Sequence, residues 1–466
     1  MAQNFITYGC WNKGACKVGS SSNGVSAVIT EMDRYVARLD VKPAFVAIAG
    51  DNYYPKIDEA TKTTPKKKYF NEDELKSGFA CLRDFQRKHA VPIDVIGGNH
   101  DTENTLDFEI TKSASSRRRS ASVGASSGSS GTYTYKKNEC LITRTEIKMA
   151  KSAIMAFTMF NCRLFGAGNH TLVLMLDSNI YIEDMAKLKN CYLPLLHNTV
   201  RHLRNSRMYP AELNVSAFAA TIQDAVAEFE RATTVATVVE TLRSVQLAWV
   251  NHILDAATRI GTVKNVVIVA HHPLAYHKIK KGKTLFQTGA DNDGGAEYLK
   301  LCQRIYGHFI SGQGQGQFFY SCADLHTYQA GAVILAASSA YPEIHINQQI
   351  AGTGGTTLET EYATTWSVPE GMTMTVGGVV SITYRMDAAI HSHGFLHWTE
   401  SSPDSTLSVE FIPAQVINSR VGAGGTRRRR RRHCILSPYR FRSTMPRRHR
   451  QHHRSKDNRN RTRHRK

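Results

Sequence analysis

The sequence lacks several patterns that would place it in a familiar class at once. It contains no Cys-x-x-Cys pair, and its nine cysteines are scattered from Cys10 to Cys434 without a repeated spacing, so a zinc ribbon is unsupported. It has no run of about 18 apolar residues that could cross a bilayer, and no repeat of roughly 20–50 residues. The N-terminus shows no basic segment followed by an apolar one, so no signal peptide is evident. These absences predict an intracellular protein, cytoplasmic or nuclear, with reduced cysteines.

Acidic residues are nearly absent from one part of the chain, the segment 426–466. It holds 18 Lys and Arg residues against one acid, whereas the rest of the chain holds 41 against 38. The formal charge of +20 therefore belongs mainly to this segment, and its charge density disfavours a packed fold. We predict a disordered Arg-rich tail over 416–466 that binds nucleic acid through phosphate attraction or directs nuclear import. An anionic membrane surface and a tail without a partner are the alternatives.

The body of the chain has the composition and patterning of a folded protein. Apolar residues make up 41% of the sequence, which is typical of soluble globular proteins. Helical spacing from Val25 to Leu39 leads into the apolar run Phe45–Ala49, and this alternation predicts an α/β (α+β) fold. We expect one domain over 1–415, with a disordered Ser/Arg/Gly-rich insert at 113–131 and a mainly helical insertion at 182–245.

Side chains that bear oxygen or imidazole groups follow successive apolar, β-rich runs. The motifs are Gly50-Asp51-Asn52-Tyr53-Tyr54, Gly98-Asn99-His100-Asp101, His271-His272-Pro273 and Cys322-Ala323-Asp324-Leu325-His326. Because α/β folds place their ligands at the carboxyl ends of strands, we expect these side chains to meet in one site. Carboxylate, amide and imidazole groups are all competent metal ligands. The sequence therefore predicts a metal centre.

This series resembles the motifs of the calcineurin-like metallophosphoesterases, and Gly50-Asp51-x-x-Tyr54 is most similar to the purple acid phosphatase branch. The resemblance spans residues 4–412 and implies a four-layer β-sandwich flanked by helices. It also implies a phosphate ester substrate and a dinuclear site where a metal-bound hydroxide attacks phosphorus. The implied cofactors are two metal ions, with Fe, Mn or Zn as the expected identities.

The family pattern also implies which residues bind each metal ion. Asp51 would bridge the two ions. The first ion would take Tyr54 and His326, and the second would take Asn99 and His271. A tyrosinate at position 54 would favour Fe(III), whereas a packed aromatic residue without a metal is the alternative for Tyr54.

Two positions depart from the family pattern. Cys10 stands where the family has an aspartate, with Trp11 keeping the register. It is either a thiolate ligand, because a metal lowers the thiol pKa, or a buried cysteine without that role. Asp324 stands where the last motif of the family begins with a histidine. As an oxygen ligand it would favour Mn, Mg or Fe over Zn.

Three further residues are candidates for the chemistry itself. The resemblance places His100 near the leaving group, as a proton donor or a phosphate contact. Asp101 would orient His100, and His272 would touch the substrate or have no role beyond being next to His271. The alternative functions are a catalytically degenerate phosphoesterase fold that binds nucleic acid through its tail, and a nuclease or nucleotide phosphodiesterase.

Overall fold

The structure, a computed structural model, describes residues 3–58, 67–103, 108–111, 140–183, 189–204, 209–232, 234–289, 293–313, 316–365, 371–378, 380–401, 404–416 and 439–441. Helices and several β-sheets make up these residues, which confirms the predicted mixed α/β class. The predicted insert at 113–131 and most of the predicted tail lie outside the described residues.

The strands range from two to eleven residues in length. In chain order they are β1 (Gln3–Tyr8), β2 (Val46–Ala49), β3 (Lys56–Asp58), β4 (Lys67–Asn71), β5 (Ile93–Ile96), β6 (Phe108–Thr111), β7 (Ala156–Phe157), β8 (Asn161–Phe165), β9 (Thr171–Met175), β10 (Asn265–Val269), β11 (Tyr276–Lys280), β12 (Lys283–Gln287), β13 (Phe318–Cys322), β14 (Tyr328–Leu335), β15 (Ile344–Ala351), β16 (Met372–Val376), β17 (Val380–Ile390), β18 (His393–Ser401), β19 (Thr406–Ala414) and β20 (Tyr439–Phe441). The parallel strands β2, β5, β9, β10 and β13 are wholly buried. The β-branched run in β10 is buried as expected for a central parallel strand.

The helices connect and cover these strands. They are α1 (Gly24–Ala37), α2 (Glu72–His89), α3 (Leu141–Ser152), α4 (Asn179–Ile182), α5 (Lys189–Arg204), α6 (Val215–Arg231), α7 (Val235–Ile260) and α8 (Asp293–Gln313), with single 3₁₀ turns at His100–Thr102 and Ala211–Leu213. Helix α2 shows why such segments are helical. Asn71 caps it by accepting from the backbone N–H groups of Asp73 and Glu74, and basic residues fill its last turn.

Most of the described strands form two large sheets, while β11-β12 and β3-β4-β6 form two small ones. The first has the order β20-β19-β18-β1-β2-β5-β7, and its β1, β2, β5 and β7 run parallel. The second has the order β16-β17-β14-β15-β13-β10-β9-β8, and its β9, β10, β13 and β15 run parallel. In each sheet, therefore, the carboxyl ends of several neighbouring strands lie at one edge, where the predicted site motifs begin.

The two large sheets pack against each other through their facing side chains. Thr7 on β1 shares a hydrogen bond of 2.8 Å with Ser321 on β13, and the indole of Trp398 donates to Thr7. Trp398 also stacks on Phe5 at 5.4 Å and meets Phe319 edge-on at 5.3 Å. This aromatic layer is buried, so it fixes the distance between the sheets and thereby the relation of their strand ends.

The structure pairs cysteines that the sequence analysis expected to be reduced. Cys16 forms a disulfide with Cys81 of α2, and Cys140 forms one with Cys191 of α5. Both pairs join segments far apart in sequence, which the irregular cysteine spacing did not reveal. Among the described cysteines, Cys10, Cys162, Cys302 and Cys322 are free and buried.

Several predicted elements appear close to their expected bounds. The helix expected from Val25 to Leu39 is α1, and the strand expected at Phe45–Ala49 is β2. The described part of 182–245 is mainly helical, comprising α5, α6 and the start of α7. Within the tail predicted to be disordered, Tyr439–Phe441 forms β20 against β19. The division into one domain and a tail stays a prediction.

None of the described helices is both long enough and apolar enough to span a lipid bilayer.

Candidate metal centre

Strand ends from both large sheets bring the predicted site motifs together. Asp51 follows β2, His271 follows β10, and the 324–326 segment follows β13. Backbone contacts hold these ends in place, since His271 Nδ1 lies 2.8 Å from the carbonyl oxygen of Ala49 and the Ala323 N–H donates to the His271 carbonyl. The site is therefore built by the packing of the two sheets rather than by one loop.

Three site residues adopt a backbone conformation that side chains rarely accept. Cys10, Asp51 and Asp324 have φ values of +52°, +54° and +51°. Such strained positions concentrate at functional sites, where the surrounding structure holds them. Gly98 allows its loop to approach Asp51 closely, because a Cβ at this position would clash with Asp51 Oδ1.

Asp51 lies at the centre of the cluster and is almost fully buried. Its Oδ1 accepts from the His100 backbone N–H at 3.1 Å, and its Oδ2 accepts from the Tyr54 hydroxyl at 2.7 Å. Burial alone raises the pKa of Asp51, but the charges of His271 and His100 and the Tyr54 hydrogen bond lower it to about 2. Asp51 is therefore an ionised, preorganised carboxylate.

His271 presents a ring nitrogen to three oxygen atoms. Because its Nδ1 donates to the Ala49 carbonyl, its Nε2 is free to act as a metal ligand. Nε2 lies 3.2 Å from Asn99 Oδ1, 3.4 Å from Asp51 Oδ1 and 3.7 Å from Asp324 Oδ1. Burial lowers the pKa of His271, but Asp51 and Asp324 raise it above its ordinary value. A cation at this point would satisfy all four groups, so the donor set fits a metal ion.

Cys10 and Tyr54 approach the other carboxylate oxygen of Asp51, and His326 contacts Tyr54. Cys10 Sγ lies 3.8 Å from Asp51 Oδ2, and the Tyr54 hydroxyl lies 3.1 Å from His326 Nε2. Burial, followed by the charge of Asp51, raises the pKa of both the Cys10 thiol and the Tyr54 phenol. Burial lowers the pKa of His326, although the charge of Asp51 opposes this effect. The lowered pKa favours the neutral imidazole that a metal needs.

Two overlapping groups of side chains have metal-ligand geometry. One comprises Cys10, Asp51 and His271, and the other comprises His271, His272 and Asp324. In each group the candidate ligand atoms lie within 4.8 Å of one another. These buried residues could hold a metal ion, as the sequence analysis predicted.

His100 lies at the edge of the cluster and is oriented by a residue that the sequence analysis did not identify. Its ring packs 4.9 Å from that of Tyr54, and its Nδ1 lies 2.7 Å from Glu103 Oε1. The other oxygen of Glu103 accepts from Lys68 at 3.2 Å. Although burial lowers the pKa of His100, Asp51 and Glu103 raise it to about 9, so the ring carries a proton.

Asp101 was predicted to orient His100, but among the described residues its side-chain hydrogen bonds go to residues other than His100. Asp101 accepts from the backbone N–H and side-chain amide of Asn52 and from the Gly98 N–H, each at 2.7 Å. The reason is the 3₁₀ turn at His100–Thr102, which aligns residues three apart and directs adjacent ones differently. Glu103 therefore reaches His100, whereas Asp101 holds the two ligand-bearing loops together.

His272 is held by other residues on both sides of its ring. Its Nδ1 lies 2.9 Å from Ser178 Oγ, and its Nε2 lies 3.1 Å from Glu183 Oε1. The ring is almost completely buried and lies nearly perpendicular to that of His271. His272 remains one of the three candidate ligands in the group with His271 and Asp324, and its predicted substrate contact stays a prediction.

The structure thus gathers most of the predicted site residues into one cluster and adds others. The residues brought together are Cys10, Asp51, Tyr54, Asn99, His100, His271, Asp324 and His326. Sequence reasoning missed Glu103, Lys68, Ser178 and Glu183. Glu103 could have been found by predicting a 3₁₀ turn after Gly98-Asn99. No local sequence pattern indicated the other three residues.

The evidence for a metal centre is the geometry of these side chains, because the sequence comparisons found no match. No protein-family model matches the sequence, and no curated protein matches it.

Proposed function

We propose that this protein is a metal-dependent phosphoric ester hydrolase of the calcineurin-like metallophosphoesterase type, similar to the purple acid phosphatases. The observation that carries the proposal is the position of Asp51 between two sets of ligand groups. His271 lies beside its Oδ1 and is itself approached by Asn99 and Asp324, whereas Tyr54 contacts its Oδ2. A carboxylate flanked in this way suits a bridge between two metal ions.

The arrangement of the sheets supports the same proposal. Two large sheets face each other through an aromatic layer, and helices cover much of the remaining sheet surface. We infer the four-layer sandwich of this family, in which the chemistry lies at the strand ends of both sheets.

The donor set suggests which ions the centre would hold. Asn99, His271 and Asp324 would bind one ion with Asp51, and this oxygen-rich set suits Mn or Fe better than Zn. Tyr54, His326 and Cys10 would bind the other, with Fe favoured by a tyrosinate. When bound, the two ions would supply an activated water and neutralise charge on the phosphate.

The protein's own residues would position the substrate and move one proton. Glu103, which lies 2.7 Å from His100 Nδ1, stabilises the protonated form of the His100 ring. With Nδ1 bound to Glu103, its Nε2–H is free to protonate the leaving oxygen. The hydrogen bonds of Asp101 keep the Asn52 and Gly98 loops in place, so Asp51 and Asn99 stay in register.

The direct test is turnover of p-nitrophenyl phosphate with Mn and Fe added, before and after chelation. Wild-type protein should hydrolyse the ester and lose activity with the metal, while Asp51→Asn should lower kcat by at least about a hundredfold. Asp40→Asn, an exposed carboxylate outside the cluster, is the matched control and should leave kcat unchanged. A folded Asp51→Asn variant with wild-type turnover would exclude this centre as the catalytic site.

A second candidate is a phosphoesterase fold that has lost catalysis and binds nucleic acid through residues 426–466. The observation in its favour is Cys10, whose thiol pKa is raised by burial and by Asp51, so a neutral group stands where the family has a carboxylate. Such a protein would neither turn over phosphate esters nor retain metal. A nuclease that uses both the tail and the centre would cleave polymers in addition to small esters.

A further inference from the structure

One basic side chain reaches the cluster without being part of it. Lys13 follows β1, and its Nζ donates to Thr357 Oγ1 at 2.8 Å. The same ammonium lies over the Tyr54 ring, 6.0 Å from its centroid. Tyr54 in turn donates to Asp51, so Lys13 is separated from the central carboxylate by a single aromatic ring.

The segment that holds Lys13 is itself attached to the candidate ligands. The Thr356 N–H donates to the carbonyl of Cys10 at 3.0 Å, and the Glu359 N–H donates to the carbonyl of His326 at 3.0 Å. Thr357 lies between these two anchors. The position of the Lys13 ammonium is therefore fixed relative to the cluster rather than left to a free surface side chain.

Lys13 and His100 lie at the accessible border of the buried site, and Lys13 supplies the positive charge at that border. Asp51 and His271 are almost completely buried, whereas Lys13 is exposed and the His100 side chain is 26% exposed. Both approach the Tyr54 ring, His100 at 4.9 Å and Lys13 at 6.0 Å. Among the described residues, no carboxylate forms an ion pair with Lys13, so its charge is available to a ligand.

We propose that Lys13 binds an oxygen of the substrate phosphate and makes the centre select phosphate monoesters over phosphodiesters. A monoester dianion keeps an additional charged oxygen that a diester has esterified. An ammonium beside the site therefore stabilises the monoester more strongly, through a charge-assisted hydrogen bond. This inference rests on the proposed hydrolase function and assigns to Lys13 the preference between the two kinds of ester.

The test compares Lys13→Met, Lys13→Arg and Lys17→Met in metal-loaded protein. Lys17 is an exposed lysine of the same loop and serves as the matched control. Calorimetry with inorganic phosphate should show Kd raised about tenfold in Lys13→Met, as expected for one lost charge-assisted hydrogen bond. Lys13→Arg should bind nearly as wild type, and metal content by elemental mass spectrometry should be equal in all variants.

Substrate preference gives the second readout. The ratio of kcat/KM for p-nitrophenyl phosphate over bis(p-nitrophenyl) phosphate should fall about tenfold in Lys13→Met, mainly through KM for the monoester. Unchanged phosphate affinity, or an equal loss for both esters, would overturn the role of Lys13 and leave the hydrolase proposal intact. If loaded wild-type protein neither binds phosphate nor hydrolyses either ester, the proposed function itself fails, and this inference fails with it.

Discussion

Single residues of the centre depend on contacts that fix their orientation before any substrate arrives. His100 illustrates this, because its backbone N–H binds Asp51 while its ring is held by Glu103. Glu103 is in turn held by Lys68. A chain of three side chains thus sets both the direction and the charge of the imidazole, which the substrate would meet at its exposed edge.

Replacing Glu103 by Ala should most strongly impair the hydrolysis of substrates that need a proton on the leaving group. We expect kcat for an alkyl phosphate to fall by about 10- to 100-fold, with a smaller change for p-nitrophenyl phosphate, whose leaving group departs without help. Steady-state kinetics on both esters measures this difference. Glu31→Gln, which alters only surface pairs with Arg34 and Arg38, is the control. Equal losses on both esters would assign Glu103 a structural role instead.

At the scale of elements, the hairpin formed by β11 and β12 links the two halves of the centre. It begins just after His271-His272-Pro273, and its Lys278 pairs with Glu359, whose N–H binds the His326 carbonyl. His277 anchors the hairpin inside the protein. Its ring stacks on Tyr384 at 5.3 Å and lies 5.4 Å from Phe286, and neither of its nitrogens has a hydrogen-bond partner among the described residues.

This buried histidine predicts a loss of stability in acid. Burial lowers the pKa of His277 from its ordinary 6.5 to about 4, so between these values the unfolded chain binds the proton and the folded chain does not. The free energy of unfolding should therefore fall as the pH drops through this window, by up to about 3 kcal/mol from this group. His277→Phe should remove that component.

Urea unfolding between pH 4 and 7 checks this expectation, with His345→Phe as a control at an exposed histidine. The dependence attributed to His277 is the difference between the wild-type and His277→Phe profiles. Parallel profiles across the whole range would show that the ring is not kept neutral by burial.

At the scale of the whole molecule, an approximately neutral body carries a strongly basic C-terminal segment. Deleting residues 426–466 removes 18 basic residues and one acid. We expect the deletion to weaken binding to duplex DNA at low salt by at least about a hundredfold. The shortened protein would contact fewer phosphates, so its binding would release fewer counterions from the DNA. Turnover of p-nitrophenyl phosphate should be unchanged. Equal DNA affinity with and without the segment would remove the basis for a nucleic-acid partner.

The sequence predicted what depends on local pattern and missed what depends on packing. Apolar runs that end in polar residues allowed us to predict β2 and the site motifs. This pattern is informative because the carboxyl ends of neighbouring parallel strands lie at one edge of the sheet. The partners of His100 and Asp101 depended on a 3₁₀ turn, which the pattern did not reveal. The pairing of Cys16 with Cys81 and the contacts of His272 with Ser178 and Glu183 join segments distant in sequence, and no local spacing encodes them.

The metal centre is tested most directly by the metal content of the purified protein, measured by elemental mass spectrometry after incubation with Mn and Fe. We expect about two metal ions per chain in the wild type and fewer than about one in Asp51→Asn, because that residue would bridge both ions. Asp40→Asn should retain the wild-type content. A correctly folded wild-type protein without stoichiometric metal would exclude the proposed metal centre, and the basic C-terminal segment would then be the principal guide to function.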